Sequence, residues 1–343
     1  MILRLAALAL VVVVLSARPA FPCSAFMRTT PEGPVVAKSY DWSQERGLVL
    51  INKRGVNKRA LVMSVPVASW TSRYASLTFN QYGREFPNGG LNEEGLVVEV
   101  LLLPSSEYPS YDLRPAISEL GLVQYLLDQA STLYEAVTLA NEVRVSPVYA
   151  KLHYFVCDGT GACATLEFLS GRLVATRGRD LPVPAVTNST YADSKRSLTA
   201  RKRPKPRSSL GRFNVISQGL KRTALPDPVG QAWSLLDEVR FEDSTQWQVV
   251  YEVGPRRVHF RTRTHPNVKT VSLSAFERDC DAPVMMHDLL SDARGDITAR
   301  FAPYDEKRNL ALVTATLKPM KKSLPPGIVS VVGAYPGTLS CAK

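Results

Sequence analysis

Short apolar runs, separated by glycine, proline and polar residues, recur along most of the chain. Runs of this length and spacing are typical of β-strands. In the first third of the chain the predicted strands are 23–29, 34–40, 47–52, 60–66, 75–80 and 95–103. Further along they are 152–157, 163–168, 171–176, 183–187, 246–252, 256–263 and 268–272.

Four stretches instead place apolar residues at the three- and four-residue spacing of an amphipathic helix. The predicted helices are 115–130, 132–144, 208–223 and 229–238. Strands and helices therefore follow each other in blocks, and the sequence contains no internal repeat and no clear linker. This order predicts an α+β fold of stacked antiparallel sheets with helices outside them.

The N-terminus has the pattern of a secretory signal peptide. Arg4 precedes an apolar run of 11 residues, 5–15, and a membrane-spanning helix needs about 20. We therefore expect residues 1–22 to be removed on export to the periplasm or the medium, which leaves 23–343 as a single domain. Pro22 is a poor residue before a signal-peptidase cut, so we expect cleavage upstream of it and self-processing of the remainder. A buried N-terminal strand or helix is the alternative.

Composition and charge narrow the class of protein. The chain has 343 residues, of which 45% are hydrophobic and 21% are charged. These values exclude a disordered chain and a polytopic membrane protein. The net charge is +11, and much of the excess lies in 195–207, which is either a solvated loop or a contact for an anionic surface. Export and the lack of a nucleic-acid-binding motif argue against nucleic acid, and we expect no stable membrane anchor.

The chain has five cysteines, and an odd number in an exported protein leaves one without an intramolecular partner. Cys157 and Cys163 flank a hairpin-type turn and can pair across it. Cys280 and Cys341 are the other candidate pair. Cys23 then remains free, at the predicted end of the signal peptide.

As a first residue, Cys23 would carry its own candidate base, because an α-amino group has a pKa of about 7.7–8.0. A thiol titrates near about 8.5 and needs nearby cations to become a thiolate. The oxyanion of a tetrahedral intermediate also needs hydrogen-bond donors. The sequence thus supports the hypothesis of a nucleophilic cysteine.

Several motifs follow this cysteine in order. They are Cys23-Ser-Ala-Phe, Val36-Ala-Lys-Ser-Tyr-Asp-Trp42, Asn80-Gln-Tyr-Gly-Arg-Glu-Phe-Pro-Asn-Gly-Gly-Leu-Asn-Glu-Glu-Gly-Leu96, Val186-Thr-Asn-Ser189, Ser208-Ser-Leu-Gly-Arg-Phe213 and Trp247-Gln-Val-Val-Tyr251. Together they resemble the choloylglycine hydrolase and penicillin V acylase family of N-terminal nucleophile (Ntn) hydrolases, which act on linear amides. The resemblance runs from residue 23 to about residue 305.

The resemblance implies an αββα sandwich and a set of catalytic roles. Cys23 is the nucleophile, and Asp41 orients its α-amino group. Asn188 donates to the oxyanion, and Arg212 lowers the pKa of the thiol. Lys38 stands where many relatives carry arginine, which keeps the charge but loses the planar fork.

The motifs also suggest a substrate class. Leu102 stands where bile-salt-cleaving members carry an asparagine, so we expect a penicillin V acylase-like amidase, with acyl-homoserine lactones as further candidate substrates. The alternatives are a bile salt hydrolase, or an inactive exported binding protein or lipoprotein with the same fold. Trp42 and Tyr82 either line an apolar acyl site or fill the core. Glu99, among valines and leucines, points either into the pocket or at solvent.

No cofactor is expected. The four histidines form no close metal-ligand pair, and the chain has neither a phosphate-binding glycine loop nor a dinucleotide-binding motif. A papain-like Cys23–His153 pair is a further alternative. The expected partner is a small amide with an apolar acyl group, and the resemblance leaves a homo-oligomer open.

Overall fold

The structure is a computed structural model that describes residues 22–223 and 226–342. Its strands are β1 (Ser24–Thr30), β2 (Gly33–Asp41), β3 (Leu48–Asn52), β4 (Val56–Arg59), β5 (Ser69–Thr71), β6 (Ser76–Asn80), β7 (Gly89–Asn92), β8 (Val97–Leu102), β9 (Ala116–Ile117), β10 (Arg144–Val145), β11 (Leu152–Cys157), β12 (Cys163–Leu169), β13 (Arg172–Arg177), β14 (Ala185–Val186), β15 (Thr245–Glu252), β16 (Arg257–Thr262), β17 (Lys269–Ser272), β18 (Met285–Asp288), β19 (Gly295–Asp296), β20 (Ala302–Pro303) and β21 (Ser340–Cys341). Its α-helices are α1 (Gly121–Gln129), α2 (Leu133–Glu142), α3 (Tyr191–Ser197), α4 (Ser209–Leu220), α5 (Pro228–Val239), α6 (Glu306–Leu317) and α7 (Ile328–Ala334).

Two large sheets form the centre of the described part of the chain. Sheet 1 has seven strands in the order β14-β1-β2-β15-β16-β17-β19, antiparallel except for the pair β17 and β19. Sheet 2 has nine strands in the order β13-β12-β11-β8-β7-β6-β3-β18-β20 and is antiparallel throughout. The long central strands β2 and β8 approach each other across the interface between the sheets.

Helices cover the outer face of each sheet. Helices α4 and α5 pack on sheet 1, where they contact β1, β2, β14 and β15. Helices α1 and α2 pack on sheet 2, where they contact β7, β8 and β11 to β13. The result is the αββα sandwich expected from the resemblance.

Strand β8 shows how the sequence pattern builds these layers. Successive side chains of a strand point to opposite faces of its sheet. Val97 and Leu101 belong to the core shared with sheet 1, whereas Val98 and Val100 pack with α1 and α2. Glu99 therefore faces the interior between the two sheets, the face that its two odd-numbered neighbours share.

Most predicted strands and helices occur within a few residues of the expected bounds, but one predicted strand is absent and one predicted helix is shorter than expected. No strand forms over residues 60–66, which follow β4. Their side chains pack in different directions, since Leu61 contacts the C-terminal helices whereas Val62 contacts the core formed with α1 and α2. The predicted helix 115–130 begins only at Gly121. Its first residues form β9 instead, which pairs in parallel with β10. No element was predicted for α3, α6 or α7.

Both predicted disulfides are confirmed. Cys157 pairs with Cys163 and Cys280 pairs with Cys341. Cys23 is free and buried, as the count of five required. The predicted signal peptide lies outside the described residues, apart from Pro22 at its end. Among the helices that the structure describes, none has the length and apolar character needed to cross a membrane.

Candidate active site

The free thiol lies at the start of the central hairpin of sheet 1. Strands β1 and β2 pair antiparallel with Ser24 opposite Ser39, which brings Cys23 beside Asp41 although 18 residues separate them. The Asp41 main-chain N–H donates to Cys23 Sγ at 3.4 Å. Only 2% of Cys23 is exposed. Pairing within one hairpin thus joins the first and second motifs of the sequence.

The Asp41 carboxylate is fully buried and only partly hydrogen-bonded. Its Oδ1 accepts from Ser39 Oγ at 3.2 Å and from Thr245 Oγ1. Its Oδ2 has no partner among the described residues. Burial raises the pKa of Asp41 to about 6, against the opposing effects of the Thr245 hydroxyl and the Arg212 charge. A buried acceptor of this kind can take one more donor without displacing an existing bond.

Arg212 projects from the first turns of α4 towards Cys23. Its Nη1 donates to the Cys23 carbonyl at 2.6 Å and to Ser24 Oγ at 2.5 Å. Its Nη2 donates to Asn188 Oδ1 at 3.0 Å. Burial lowers the pKa of Arg212 to about 10, so the guanidinium stays charged at neutral pH. The guanidinium of Arg212 therefore connects its own motif by hydrogen bonds with the motifs that contain Cys23 and Asn188.

The residues before Arg212 explain why α4 begins where it does. Ser208 caps the helix by accepting from the Gly211 main-chain N–H at 3.1 Å. A Cβ atom on Gly211 would lie 1.9 Å from the Lys205 carbonyl oxygen. Glycine at this position lets the preceding loop pass close to the helix, and it thereby sets the position of the next residue, Arg212.

Asn188 is held by two groups. Besides accepting from Arg212, it donates through Nδ2 to the Leu102 carbonyl at 2.8 Å. An amide nitrogen carries two hydrogens, so one remains available for another acceptor. Leu102 thus contributes to the site through its main-chain carbonyl, at the position where bile-salt-cleaving members carry an asparagine side chain.

Lys38 and Glu99 form an ion pair between the two sheets. Lys38 Nζ donates to Glu99 Oε2 at 2.7 Å and to the Val100 carbonyl at 2.6 Å. Tyr251 donates from its hydroxyl to Glu99 Oε1 at 2.5 Å. Burial raises the pKa of Glu99, whereas Lys38 and Tyr251 oppose that shift. Glu99 therefore points neither to solvent nor into the pocket, the two directions that its sequence context suggested.

While the residues before Cys23 remain attached, the surroundings of the thiol keep it protonated. Burial raises its pKa to about 11, although the positive charges of Lys38 and Arg212 act in the opposite direction. Asp41 adds to the increase. With Pro22 attached, the nitrogen of Cys23 is an amide and cannot act as a base.

Cys23 opens onto an apolar cleft with an empty volume of about 940 Å³, which includes the space at its mouth. This size is in the range of small-molecule sites. Of the predicted substrate-binding residues, Trp42 and Tyr82 line the cleft and Glu99 does not. The Tyr40 and Phe86 rings line it as well. The side chains around the thiol could accommodate a large apolar group.

Sequence reasoning missed one wall of this cleft. The C-terminal helices and the segment between them supply Leu317, Met320, Leu324, Ile328 and Val332. These helices were not predicted, and they lie beyond the part of the chain that carries the motifs. Their apolar residues at helical spacing were the available signal.

Two polar residues of the cleft were also missed. Asn88 accepts from the Gln81 main-chain N–H at 3.0 Å and donates to the Tyr40 hydroxyl at 3.3 Å. Glu119 accepts from the main-chain N–H groups of residues 148, 149 and 150 at 2.7–2.8 Å. Asn88 belongs to the motif that spans residues 80–96, so the sequence offered a signal for it. Nothing in the sequence connects Glu119 with a loop 30 residues away.

His153 has a different partner from the one that a papain-like pair requires. Its Nδ1 lies 3.4 Å from Glu167 Oε1 inside sheet 2, and no contact joins it to Cys23. Within the described ranges, no group of three or more histidine, cysteine, aspartate and glutamate side chains is placed to hold a metal ion.

The αββα layers, with a buried cysteine at the start of the first strand, have the architecture of the Ntn-hydrolase fold. The structure of penicillin V acylase from Agrobacterium tumefaciens matches with a TM-score of 0.72 and 22% identity, over 82% of this chain and 98% of that one. Conjugated bile acid hydrolase from Clostridium perfringens matches with a TM-score of 0.66 and 15% identity, over 80% of this chain and 98% of that one. These similarities establish the fold.

Sequence comparison points to the same group of proteins. Penicillin V acylase from Pectobacterium atrosepticum is 29% identical over 213 residues, which are 57% of this chain and 56% of that protein. The chain thus matches about half the length of that curated relative, and no family profile matches it. Taken with the shared fold, this similarity supports the resemblance to the choloylglycine hydrolase and penicillin V acylase family that the motifs indicated.

Proposed function

We propose that this protein is an exported amide hydrolase that uses Cys23 as an N-terminal nucleophile on substrates with an apolar acyl group. One observation carries the proposal. The free Cys23 thiol opens onto the apolar cleft while Asp41, Lys38 and Arg212 surround it in the interior. A nucleophile, buried charges and an apolar pocket are the parts that acyl transfer needs.

The proposed reaction has two steps. The free α-amino group takes the thiol proton, and the Cys23 thiolate attacks the amide carbonyl carbon. As the tetrahedral intermediate collapses, the carbon–nitrogen bond breaks, and the ammonium returns the proton to the leaving amine. A water molecule, deprotonated by the same amine, then attacks the thioester and releases the carboxylic acid and the thiol.

This mechanism requires removal of every residue before Cys23. Cleavage of the Pro22–Cys23 peptide bond converts an amide nitrogen into an amine, and Asp41 Oδ2 is the buried acceptor proposed to orient it. The charges of Lys38 and Arg212 favour the thiolate. Asn188, through its second amide hydrogen, is the proposed oxyanion donor. Export through a signal peptide is proposed as the route that begins this processing.

For the acyl group we propose a phenoxyacetyl or fatty acyl chain, as in penicillin V or an acyl-homoserine lactone. The cleft wall is almost entirely aromatic and aliphatic and includes Trp42, Tyr82 and Phe86. A conjugated bile salt is the second candidate, because the acyl part of that substrate is also apolar and a bile acid hydrolase shares the fold.

The state of Cys23 tests the proposal directly. We would measure the intact mass and N-terminal sequence of the exported protein, before and after treatment with iodoacetamide. The other four cysteines are in disulfides, so one added carbamidomethyl group should appear, at residue 23. Cys23→Ser provides the control, with no labelling. A mature chain that starts upstream of Cys23, or carries a lipid there, would refute the self-based nucleophile and favour a binding protein.

Turnover would then identify the substrate. Penicillin V, long-chain acyl-homoserine lactones and conjugated bile salts would be compared by kcat/KM with wild type and Cys23→Ala. Hydrolysis of the first two substrates at higher kcat/KM than bile salts is the expected result. Equal activity of Cys23→Ala on any of them would show that the thiol is not the nucleophile.

A further inference from the structure

A second cleft includes Thr245, the residue whose hydroxyl donates to Asp41. It has an empty volume of about 670 Å³, including its open mouth. Its walls come from β15, β16, the loop that precedes β15 and the segment that follows β16, and they include Arg240, Arg261 and Arg263. We call it the arginine cleft. No residue of the motif set around Cys23 lines it except Trp247 and Gln248 at the start of the last motif.

The positive charge in this cleft is incompletely balanced. Arg261 pairs with Asp237, which also lies 3.9 Å from Arg240. Arg263 forms no ion pair with any residue in the described part of the chain, and neither does Glu242, the one acidic residue of the lining. The lining therefore carries three arginines and one glutamate, with Asp237 outside the lining as the further counter-charge, and this excess of positive charge favours an anion.

A buried donor without a partner also lines the arginine cleft. Gln248 on β15 is only 3% exposed, and its Oε1 accepts from Arg261 Nε at 2.8 Å. Its Nε2 has no hydrogen-bond partner among the described residues. Buried amide donors in native proteins are nearly always satisfied. An acceptor placed in the cleft would satisfy Gln248 and meet the arginine charges at once.

The arginine cleft is coupled to the catalytic residues through its inner wall. Thr245 lines the cleft and donates its hydroxyl to Asp41 Oδ1. Trp247 also lines it and stacks on Tyr40, with ring centroids 4.0 Å apart. Tyr40 in turn lines the apolar cleft. Thr245 and Trp247 therefore connect the arginine cleft with Asp41 and with the lining of the apolar cleft.

We propose that the arginine cleft is a second binding site, for a small oxyanion such as a carboxylate or a phosphate. Guanidinium groups bind both through paired N–H donors, and Gln248 adds a neutral donor at the buried end. Bound there, the anion lies behind Thr245 and Trp247 rather than at the thiol. The site is separate from the acyl cleft and does not depend on hydrolysis.

Inorganic phosphate is the first probe. Isothermal titration calorimetry of the intact protein at constant ionic strength should show saturable binding of one phosphate. Arg263→Gln, at an exposed residue without an ion pair, should weaken binding at least five-fold. Arg257→Gln is the matched control, because Arg257 lies at the other end of β16, five residues from Thr262, and outside the lining. Gln248→Glu keeps the acceptor for Arg261 but removes the donor, and it should abolish binding.

These measurements can overturn the proposal. Binding that is not saturable, or that falls equally in Arg263→Gln and Arg257→Gln, would mean that phosphate follows surface charge alone. Retention of full affinity in Gln248→Glu would exclude the cleft as the site. Loss of binding with the two specific variants and not with the control is the pattern that supports it.

A second arm identifies the source of the oxyanion. Amides with a carboxylate on the leaving amine would be compared with neutral analogues in wild type and Arg263→Gln. A rise in KM confined to the carboxylate substrates identifies the site as one for the leaving group. An unchanged preference, together with phosphate binding that survives alkylation of Cys23, identifies a free anion as the ligand.

Discussion

The ion pair between the sheets supports a quantitative prediction. Lys38 is 1% exposed and Glu99 is 2% exposed, so neither charge is solvated. Removal of one partner of a buried pair leaves an uncompensated charge and costs about 3–5 kcal/mol. We therefore expect Glu99→Gln, which keeps the side-chain volume, to lower the free energy of unfolding by about that amount.

A double-mutant cycle separates the pair from its surroundings. Lys38→Met should destabilise the protein by a similar amount, because it leaves the Glu99 carboxylate with only the Tyr251 hydroxyl. The double variant should be less destabilised than either single variant, since no buried charge then remains. Tyr251→Phe removes a hydrogen bond to a charged acceptor, and it should cost about 1.5–3 kcal/mol.

The assay is urea unfolding at neutral pH, followed by tryptophan fluorescence, with the free energy extrapolated to water. In parallel, the rate of Cys23 alkylation should fall in Lys38→Met, because Lys38 favours the thiolate. A Glu99→Gln variant with a stability within about 0.5 kcal/mol of wild type would refute the reasoning. So would additive costs in the double variant, since independent residues add and a pair does not.

Three other predictions concern the frame of the site. Burial raises the pKa of Asp41 from 3.8 to about 6, so the protonated carboxyl stabilises the fold below about pH 4, and this stability is lost as the pH rises through 6. The shift corresponds to about 3 kcal/mol, and Asp41→Asn should remove this pH dependence from the free energy of unfolding measured at several pH values. Gly211→Ala should cost about 1–3 kcal/mol by pushing on a main-chain carbonyl, measured as a lower midpoint of thermal unfolding, whereas Gly337→Ala, with open space around it, should not. Replacing Cys280 and Cys341 by serine should cost about 2–5 kcal/mol and raise the KM for apolar substrates more than it lowers kcat, because the C-terminal helices form a cleft wall.

The sequence motifs contain much of the candidate site. The family that these motifs resemble implied one group of Cys23, Asp41, Asn188 and Arg212, and the structure joins these residues through Arg212 and the β1–β2 hairpin. Local contacts explain the Cys23–Asp41 contact and the start of α4, whereas the hydrogen bond from Arg212 to Cys23 joins residues 189 positions apart. A hairpin pairs neighbouring strands, and a serine cap with a following glycine fixes the start of α4.

The exact partners of these residues depended on longer-range pairing. The sequence left Glu99 pointing either into the pocket or at solvent, and only the packing of sheet 2 on sheet 1 placed Lys38 and Tyr251 opposite it. Gly89, which pairs with Glu99 inside sheet 2, leaves room for the Glu99 carboxylate, since a Cβ there would lie 2.2 Å from Glu99 Oε2. A sequence pattern reports which face of a strand is buried and does not report what lies across from it.

By itself, the sequence indicated many of the strands and four of the helices of the sandwich, two candidate pairs of cysteines and the one cysteine left over. Those features follow from local periodicity, turn residues and an odd count. Only the tertiary structure showed that residues of α6 and α7 line the apolar cleft and that three arginines line a second cleft together with Thr245. Their positions depend on contacts between segments far apart in the chain, and such contacts are set by the packing of whole layers rather than by any local pattern.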